Sequence, residues 1–273
     1  MLIGIIIGCM LLIFAGYLFL IKPDTKRKEW AKPYEEKGVA HRGLFDKSLG
    51  IPENSLAAFQ RAVEKNYGVE LDVQLTKDNR LVVFHDEDLF RMCGVKKKVR
   101  DCTWEELCQY SLQGTEEKIP LFTQVKEVFK EDTPVIIEVK PDGDYIGAVK
   151  TLMEELEGYR GIYVVESFHP LVLHWLKKHY PDVIRGQLAS DLFRDKKKKY
   201  SWIKKVISSN MLLNFLGRPD FIAYNFKQAS QISFRICHKL FAAKYAAWTI
   251  RSKEDWQKAK HYFTIMIFDS FIL

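Results

Sequence analysis

The chain has 273 residues, of which 47% are hydrophobic and 28% are charged, a composition that can bury a large core and excludes a disordered protein. Its formal net charge of +7 comes mostly from local basic runs, and no RNA- or DNA-binding motif is present in the sequence. The composition therefore predicts no nucleic-acid partner and favours contact with a membrane or an anionic substrate.

The first predicted element is a membrane-spanning helix at residues 1–21. Residues 2–21 carry no charge, and at ~1.5 Å per residue they form a helix about 30 Å long, enough to cross the hydrocarbon of a bilayer. A cleaved signal peptide is the alternative, but no basic residue precedes the apolar run and no A-x-A site follows it. These observations favour a single-pass membrane anchor.

A basic linker at residues 22–37 follows the anchor. By the positive-inside rule, its charges favour a cytoplasmic position for the linker and the domain behind it, although the same charges can bind anionic headgroups on either face. The cysteines lack CxxC spacing and are predicted to be free thiols, which favours a reducing compartment. The basic residues are Lys22, Lys26, Arg27, Lys28 and Lys32.

Residues 38–273 alternate short apolar strands with amphipathic helices, a pattern typical of an α/β domain of the TIM-like (β/α)8 barrel type. Helical periodicity is present at residues 55–65, 103–110, 145–156, 170–179 and 228–241. Strands are predicted at residues 39–41, 69–74, 81–85, 135–140, 162–168, 184–188, 221–225, 246–250 and 265–269.

The predicted strands exceed by one the places of such a barrel, and the irregularity lies around the second and third strands. The link at residues 76–80 is too short for a parallel crossover, which needs about a dozen residues. Because Lys77-Asp78-Asn79 is a turn-forming cluster, we expect a hairpin-like excursion there and an imperfect barrel.

Charged side chains stand at inward positions of two strands, near the C-terminal strand ends where barrels carry their chemistry. Side chains alternate along a strand, so Glu70 and Asp72 would both point into the barrel, and Glu138 and Lys140 repeat the pattern. Three inward carboxylates repel one another unless a divalent cation joins them, and oxygen ligands suit Mg²⁺ or Ca²⁺ better than zinc. A buried ion pair of Glu138 with Lys140 or an arginine is the alternative.

Two histidines, His41 and His85, stand at the ends of neighbouring predicted strands. Hydrolysis of a phosphodiester needs one group that takes a proton from the nucleophile and another that gives one to the departing alkoxide, and two imidazoles can do both. Arg42 can offer a planar fork to phosphate oxygens, and Gly43 lets the backbone approach closely. A single histidine is more often a hydrogen-bonded core residue, but the pair predicts acid/base chemistry.

Other residues near the strand ends allow two interpretations. Asn54 can be the N-cap of the helix that begins at Ser55, or it can contact metal or substrate, whereas Glu53 does not fit a capping role. Trp248 belongs either to the core or to a wall for an apolar part of the substrate. Asp269 ends the last strand, where a solvated terminus is the plain explanation.

The segment at residues 191–217 combines the lysine run Lys196 to Lys199 with a following apolar stretch. This combination fits an interfacial helix that lies on anionic lipid. An ordinary barrel helix beside a solvated charged loop explains it at least as well.

The ordered motifs of residues 38–270 resemble those of the glycerophosphodiester phosphodiesterase family. The resemblance implies a membrane-anchored, bacterial-type member with a TIM-like barrel. It also implies the hydrolysis of glycerophosphodiesters to an alcohol and glycerol 3-phosphate, in phospholipid and glycerol metabolism. The motifs are His41-Arg42-Gly43, Pro52-Glu53-Asn54-Ser55, Val69-Glu70-Leu71-Asp72-Val73, Thr76-Lys77-Asp78, Val83-Phe84-His85-Asp86, Ile137-Glu138-Val139-Lys140, Ser167-Phe168 and Trp248-Thr249.

The resemblance also implies roles for individual residues and one divalent cation, Mg²⁺ or Ca²⁺. In the mechanism we expect, His85 is the base and His41 is the acid. The implied set is His41 and His85 for acid/base catalysis, Glu70, Asp72 and Glu138 for the metal, Arg42, Lys140 and Trp248 for the substrate, and Glu53 and Asn54 in support.

Two departures from the family's pattern leave the alcohol side of the substrate open. Trp248-Thr249-Ile250-Arg251 stands where many members have Trp-Thr-Val-Asn, and Phe268-Asp269-Ser270-Phe271 replaces the usual Thr-Asp-x-Pro. With an anchor, the substrate can also be a lysophospholipid, cleaved at the membrane in a lysophospholipase D-type reaction. A non-catalytic, membrane-tethered barrel that binds phospholipid headgroups is the alternative from another class.

Overall fold

The structure is a computed structural model that describes residues 1–140, 142–196, 199–269 and 271–273. Three residues named above lie outside these ranges: Lys197 and Lys198 of the lysine run, and Ser270 of the segment Phe268-Asp269-Ser270-Phe271. Nine strands lie within the described residues, at the nine predicted positions. They are β1 (Val39–His41), β2 (Gly68–Leu75), β3 (Leu81–Val83), β4 (Val135–Val139), β5 (Tyr163–Ser167), β6 (Arg185–Ala189), β7 (Phe221–Asn225), β8 (Lys244–Ile250) and β9 (Ile265–Phe268).

Eight of these strands are parallel and close into a barrel. Their order is β1-β9-β8-β7-β6-β5-β4-β2, and the barrel is closed by β1, which pairs with β2 at Ala40 and Val69. The prediction of a TIM-like barrel is therefore confirmed. All eight C-terminal strand ends meet at one end of the barrel, which we call the top.

The irregular strand is β3, which forms the predicted hairpin. It runs antiparallel to β2, with Val73 opposite Val83 and Leu75 opposite Leu81. Asn79 turns the link with a φ of 58°. Residues 84–121 then form a side unit with its own buried apolar cluster before the chain returns to the barrel at β4.

The helices on the barrel wall match most of the predicted helical segments. The segment at residues 103–110 is helical over only four residues, in α5. The helices are α1 (Leu2–Ile21), α2 (Lys32–Lys37), α3 (Leu56–Glu64), α4 (Phe90–Cys93), α5 (Trp104–Leu107), α6 (Phe122–Lys126), α7 (Tyr145–Glu155), α8 (Pro170–His179), α9 (Trp202–Ser209), α10 (Asn214–Gly217), α11 (Ile232–Leu240) and α12 (Lys253–Ala259).

Helix α3 is capped by Ser55 and not by Asn54. Ser55 has extended backbone angles and its Oγ accepts a hydrogen bond from Ala58 N–H, as an N-cap does. Asn54 has a φ of 57°, outside the extended conformation of an N-cap. The capping alternative for Asn54 is therefore wrong, and its side chain is left for the site.

The barrel has an inner and an outer apolar core. Inward residues such as Ile136 and Phe221 form the inner core, and outward residues such as Leu71 and Ile137 pack against the surrounding helices. Trp30 and Tyr34 close the bottom, where the Tyr34 hydroxyl donates to Val135 O at 3.1 Å. Residues 29–37 of the predicted linker thus pack with the barrel.

Helix α1 is long and apolar enough to cross a membrane, and it is the one such helix among the described residues. Its first four turns are exposed, whereas Ile21 is fully buried against the barrel. The Ile21 carbonyl accepts a hydrogen bond from Asn214 Nδ2 at 3.0 Å, and Arg218 Nη1 donates to Phe19 O at 2.9 Å. The C-terminal end of α1 is therefore fixed to α10 and its C-cap.

Candidate active site

The motif at the end of β1 places Arg42 next to three carboxylates at the top of the barrel. Arg42 donates its backbone N–H to Glu70 Oε2 at 2.9 Å and its Nη1 to Glu53 Oε1 at 2.7 Å, while Nε lies 3.5 Å from Asp72 Oδ2. Gly43 has a φ of 77°, and a Cβ there would lie 2.9 Å from the Ala58 methyl. A glycine is needed for the sharp turn that aims Arg42 inward.

Strands β2 and β4 bring three carboxylates together. Glu70 and Asp72 alternate on β2, and Asp72 pairs in register with Glu138 on β4. One oxygen from each of the three carboxylates lies within 4.8 Å of the others, and all three side chains are buried. The prediction from strand alternation correctly placed this cluster.

The pKa values of two carboxylates in the cluster are shifted in opposite directions. Burial, followed by the charges of Asp72 and Glu138, raises the pKa of Glu70 well above its usual range. Burial acts in the same direction on Asp72, but the charges of Lys140, His85 and Arg42 outweigh it and hold that pKa well below its usual range. The cations of the cluster therefore favour the ionised form of Asp72, whereas the surroundings of Glu70 favour its protonated form.

Lys140 forms the ion pair that was the alternative to a metal site. Its Nζ lies 2.9 Å from Glu138 Oε1 and 3.3 Å from Asp72 Oδ1. Glu70 has no lysine partner among the described residues, and burial together with the charges of Asp72 and Glu138 raises its pKa. The ion pair and a cation-binding role are thus compatible in one cluster.

Asn54 completes a set of oxygen donors suited to a hard divalent cation. Its Nδ2 donates to Asp72 Oδ2 at 2.8 Å, and its buried Oδ1 has no hydrogen-bond partner among the described residues. Together with Glu70, Asp72 and Glu138, this free oxygen makes an all-oxygen ligand set, which fits Mg²⁺ or Ca²⁺.

His41 lies between the carboxylates of Glu70 and Asp269. Its Nδ1 is 3.2 Å from Asp269 Oδ2, and its Nε2 is 4.0 Å from Glu70 Oε2. Asp269 is buried and also accepts a hydrogen bond from Arg251 Nε at 3.0 Å, so it is not a solvated terminus. Burial and the charge of Arg42 lower the pKa of His41 to about 4, although Asp269 acts in the opposite direction.

A titration of His41 is expected to show this low pKa in the substrate-free protein. The ring is then neutral at neutral pH, and it gains a proton only as the pH falls towards about 4. Arg42→Met removes a repulsive charge and is expected to raise the pKa, whereas Lys258→Met, on exposed α12, leaves it unchanged. Hydrogen–deuterium exchange at the imidazole C2 position, followed by mass spectrometry, measures it. A pKa at or above the ordinary value contradicts the expectation.

His85 is held by a chain of ion pairs that leads back to Arg42. Its Nδ1 lies 2.7 Å from Asp86 Oδ1, and the other oxygen of Asp86 accepts from Arg91 Nε at 2.6 Å. Arg91 also donates two hydrogen bonds to Glu53, at 2.9 and 2.6 Å. Glu53 is therefore the bridge between Arg42 and Arg91, which explains why it had no capping role.

Trp248 packs against the inner core and stands near the top of the barrel, a position that leaves both interpretations of this residue open. The ring packs edge-on against Phe168, with centroids 5.7 Å apart, and the residue is half-buried near the end of β8. Its buried Nε1–H has no hydrogen-bond partner among the described residues. Trp248 thus presents an aromatic surface and an unused hydrogen-bond donor near the top of the barrel.

Three further residues contribute to this site but were not among the candidates predicted from the sequence. Arg91 and Asp86 form the chain just described, and Glu166 on β5 is buried in register with Glu138. Burial and the charge of Glu138 raise the pKa of Glu166 well above its usual range. The same alternation that located Glu138 could have located Glu166.

Residues 41–269 match the sequence model described as the glycerophosphoryl diester phosphodiesterase family. A glycerophosphodiester phosphodiesterase of Caldanaerobacter subterraneus is 36% identical over 161 residues, which cover 55% of this chain and 65% of the relative. Lysophospholipase D GDPD1 of Rattus norvegicus is 32% identical over 170 residues, 56% of this chain and 52% of the relative. The matched segments thus span between half and two thirds of these relatives.

Solved structures share the fold over most of their length. The crystal structure of a glycerophosphodiester phosphodiesterase from Thermotoga maritima has a TM-score of 0.62 and 26% identity, and the match covers 86% of this chain and 95% of that one. An Oleispira antarctica phosphodiesterase, solved in complex with its product sn-glycerol-3-phosphate, has a TM-score of 0.67. That match covers 88% of this chain and 95% of the other at 22% identity, which shows a common fold.

Proposed function

The chain belongs to the glycerophosphoryl diester phosphodiesterase family, and from this premise we propose that it hydrolyses glycerophosphodiesters to an alcohol and glycerol 3-phosphate. The observation that carries the proposal is the meeting of three buried carboxylates with two carboxylate-held histidines at the top of the barrel. This arrangement supplies a phosphate-binding charge and two proton-transfer groups together.

In the proposed reaction, Arg42 and Lys140 bind the phosphate. Both cations are held in place by carboxylates, Arg42 by Glu53 and Lys140 by Glu138. Their positions therefore require little reorganisation when charge develops on the phosphate oxygens. A divalent cation, Mg²⁺ or Ca²⁺, held by Glu70, Asp72 and Glu138 neutralises further charge on the phosphate when bound.

The two histidines move the protons. His85 takes a proton from the attacking oxygen, and Asp86 at its Nδ1 stabilises the imidazolium that forms. Attack by water gives glycerol 3-phosphate directly, whereas attack by the glycerol hydroxyl of the substrate gives a cyclic phosphate that water opens in a second step. His41 gives a proton to the departing oxygen. Because its ring is neutral in the free protein, His41 acquires that proton when the anionic phosphate offsets the charge of Arg42, and Asp269 stabilises the charged ring.

A lysophospholipid is the second candidate substrate, favoured by a specific observation. One N-terminal helix is apolar enough to span a membrane, and one relative is named lysophospholipase D. Trp248 and Phe168 offer an aromatic wall where an apolar part of a diester can lie. Cleavage there releases lysophosphatidate in place of glycerol 3-phosphate.

We also propose that residues 1–21 anchor the protein by a single span, with the barrel domain of residues 38–273 on the cytoplasmic side. Support comes from the docked end of α1, since a segment destined for removal needs no buried Ile21, and from the basic residues at 22–37. Retention in membranes after alkaline carbonate extraction is expected. Recovery in the soluble fraction of a protein from which residues 1–21 have been cleaved contradicts the anchor.

A substrate panel tests the proposed function. The full chain, in detergent micelles with Mg²⁺ or Ca²⁺, is given glycerophosphocholine, glycerophosphoethanolamine and lysophosphatidylcholine, and released glycerol 3-phosphate and lysophosphatidate are quantified. Glycerol 3-phosphate is the expected product, and lysophosphatidate identifies the second candidate. Cation binding without turnover of any diester supports a non-catalytic headgroup-binding barrel and overturns the proposal.

A further inference from the structure

Helix α1 runs along the outside of the barrel in a fixed direction. The Tyr17 hydroxyl donates to Ser233 Oγ at 2.6 Å, and four residues later the Ile21 carbonyl accepts from Cys237 Sγ at 3.6 Å. The two contacts advance by four residues on both helices. The C-terminal part of α1 and helix α11 are therefore parallel neighbours.

The position of α11 shows which way α1 points. Helix α11 follows β7 and returns towards the bottom, so its first turn, with Ser233, lies at the top beside the active site. Asp24 N–H donates to Pro219 O at 2.8 Å, just before β7 begins, which places Asp24 near the bottom. The chain thus passes from top to bottom between Tyr17 and Asp24, and residues 2–16 project beyond the active-site end.

The same end carries exposed apolar side chains, which we call the apolar rim: Phe193, Trp202, Ile203 and Ile232. Their exposed fractions are 50%, 70%, 65% and 72%. Ile232 begins α11, and the other three lie in the segment between β6 and β7. Large apolar residues exposed together beside an active site indicate a surface that is covered in the working protein.

Hydrogen bonds fix the segment that carries the rim to the top of the barrel. Leu192, soon after β6, donates its N–H to Ser209 Oγ at 2.9 Å, at the last residue of α9. Asn210 Oδ1 accepts from Ser233 Oγ at 2.6 Å, in the first turn of α11. Tyr17 of α1 also contacts Ser233, so the rim is continuous with the emerging helix.

The length of α1 requires the rim to approach the bilayer. All twenty residues of α1 are needed to span about 30 Å of hydrocarbon at ~1.5 Å per residue. The part from Tyr17 to Ile21, about 6 Å, lies against the barrel below Ser233. A full span therefore draws the top of the barrel into the interface, at the depth of roughly 5–10 Å that interfacial apolar residues reach.

Charge around the rim suits the same contact. Lys199, Lys204 and Lys205 flank or belong to α9, and Lys205 lies over the Phe193 ring at 5.8 Å from its centroid. Lysine stems can lie on apolar surface while their ammonium groups meet anionic headgroups. By contrast Arg27, in the basic linker, pairs with Asp220 at the bottom.

From these observations we propose that the active-site end of the barrel rests on the bilayer that α1 crosses, with the apolar rim inserted at the headgroup level. A lipid diester then reaches the site from that leaflet without entering bulk water. The inference rests on the proposed function and anchor, and it adds the surface that delivers the substrate. It also selects the interfacial-helix interpretation of residues 191–217.

Depth measurements on the full chain in nanodiscs containing phosphatidylglycerol test the proposal. A polarity-sensitive fluorophore is attached to Ile232→Cys or to the matched control Leu240→Cys, the other end of α11, which is 55% exposed. Cys9, Cys93 and Cys108, the accessible cysteines, are replaced by serine. We expect a nitroxide lipid to quench position 232 and iodide to quench position 240. Iodide quenching at both positions, or protection of position 232 without lipid quenching, overturns the proposal.

An activity measurement separates this inference from the proposed function. The variant Trp202→Ser/Ile203→Ser/Ile232→Ser is expected to lose about ten-fold or more in turnover of lysophosphatidylcholine in vesicles, since it removes the apolar side chains that would insert into the interface. Turnover of soluble glycerophosphocholine is expected to stay unchanged. Equal loss on both diesters contradicts a membrane role for the rim. If instead the proposed function is wrong, the wild-type protein hydrolyses neither diester, and the expected quenching pattern is still observed.

Discussion

His85→Ala is expected to lower kcat for glycerophosphocholine hydrolysis by about 10²- to 10⁴-fold, the contribution typical of a positioned general acid or base. The ring has no close substitute, because its partner Asp86 is engaged by Arg91. His41→Ala is expected to lose a similar factor. Since the two imidazoles act in one reaction, the double variant is expected to be little slower than the worse single variant. Turnover of the purified full chain, assayed with saturating substrate, measures these effects.

The matched control for the histidine variants is His179→Ala. His179 is exposed at the last residue of α8, where it stacks on Trp175 with centroids 4.8 Å apart. Because α8 runs from the top of the barrel towards the bottom, this residue lies away from the active-site end. Its replacement is expected to leave kcat unchanged. Thermal midpoints of all variants establish that they fold. Full activity in folded His41→Ala and His85→Ala proteins would falsify the assigned roles.

Removal of divalent cations is expected to abolish turnover, by at least about 10³-fold, because charge stabilisation at phosphate by a metal is worth several kcal/mol. Addition of Mg²⁺ or Ca²⁺ is expected to restore activity and to raise the thermal midpoint. At a hundred-fold excess of the cation over Kd, the free energy of unfolding rises by about 2.7 kcal/mol. Glu70→Gln, which keeps shape and loses charge, is expected to lose both responses. Titration calorimetry with each cation, on chelator-treated protein, measures the binding.

The carboxylate Glu166 supplies the comparison for Glu70. It is equally buried on β5, but its oxygens are not part of the group within 4.8 Å, so Glu166→Gln is expected to keep cation binding. Burial, followed by the charges of Asp72 and Glu138, raises the pKa of Glu70 above that of the unfolded chain, so its ionised form opposes folding as the pH rises. Metal-free Glu70→Gln is therefore expected to be at least as stable as the metal-free wild type at neutral pH. Cation binding by Glu70→Gln at wild-type affinity contradicts the metal role.

Much of the barrel could be predicted from the sequence because parallel strands buried on both faces are continuous apolar runs. Val135-Ile136-Ile137 is such a run, and Glu138 interrupts it at an inward position. The hairpin of β3 was predictable for a different reason, since the five residues of the link at 76–80 cannot carry a crossover. Strand alternation then located the carboxylate cluster without knowledge of the strand order.

Contacts that depend on the tertiary path could not be predicted in this way. Arg91 lies on a four-residue helix in the side unit, and nothing in its local sequence indicates that it contacts Glu53. Asn54 differs from the true N-cap by one position, and only the backbone angles distinguish it from Ser55. Alternation along the predicted strand at 162–168 could have marked Glu166 as inward, but its place opposite Glu138 depends on the register of β5 against β4.

The floor of the barrel has a practical consequence for any shortened, water-soluble form of this protein. Trp30 and Tyr34 cover the inner core from below, although they precede the first strand and lie within the predicted linker. A protein that starts at residue 38 would expose Phe221 and the other inward side chains to water, and would be prone to aggregate. A start between residues 22 and 28 keeps this plug and uncovers only the part of the barrel surface on which the C-terminal end of α1 packs, with Tyr17, Leu18 and Ile21.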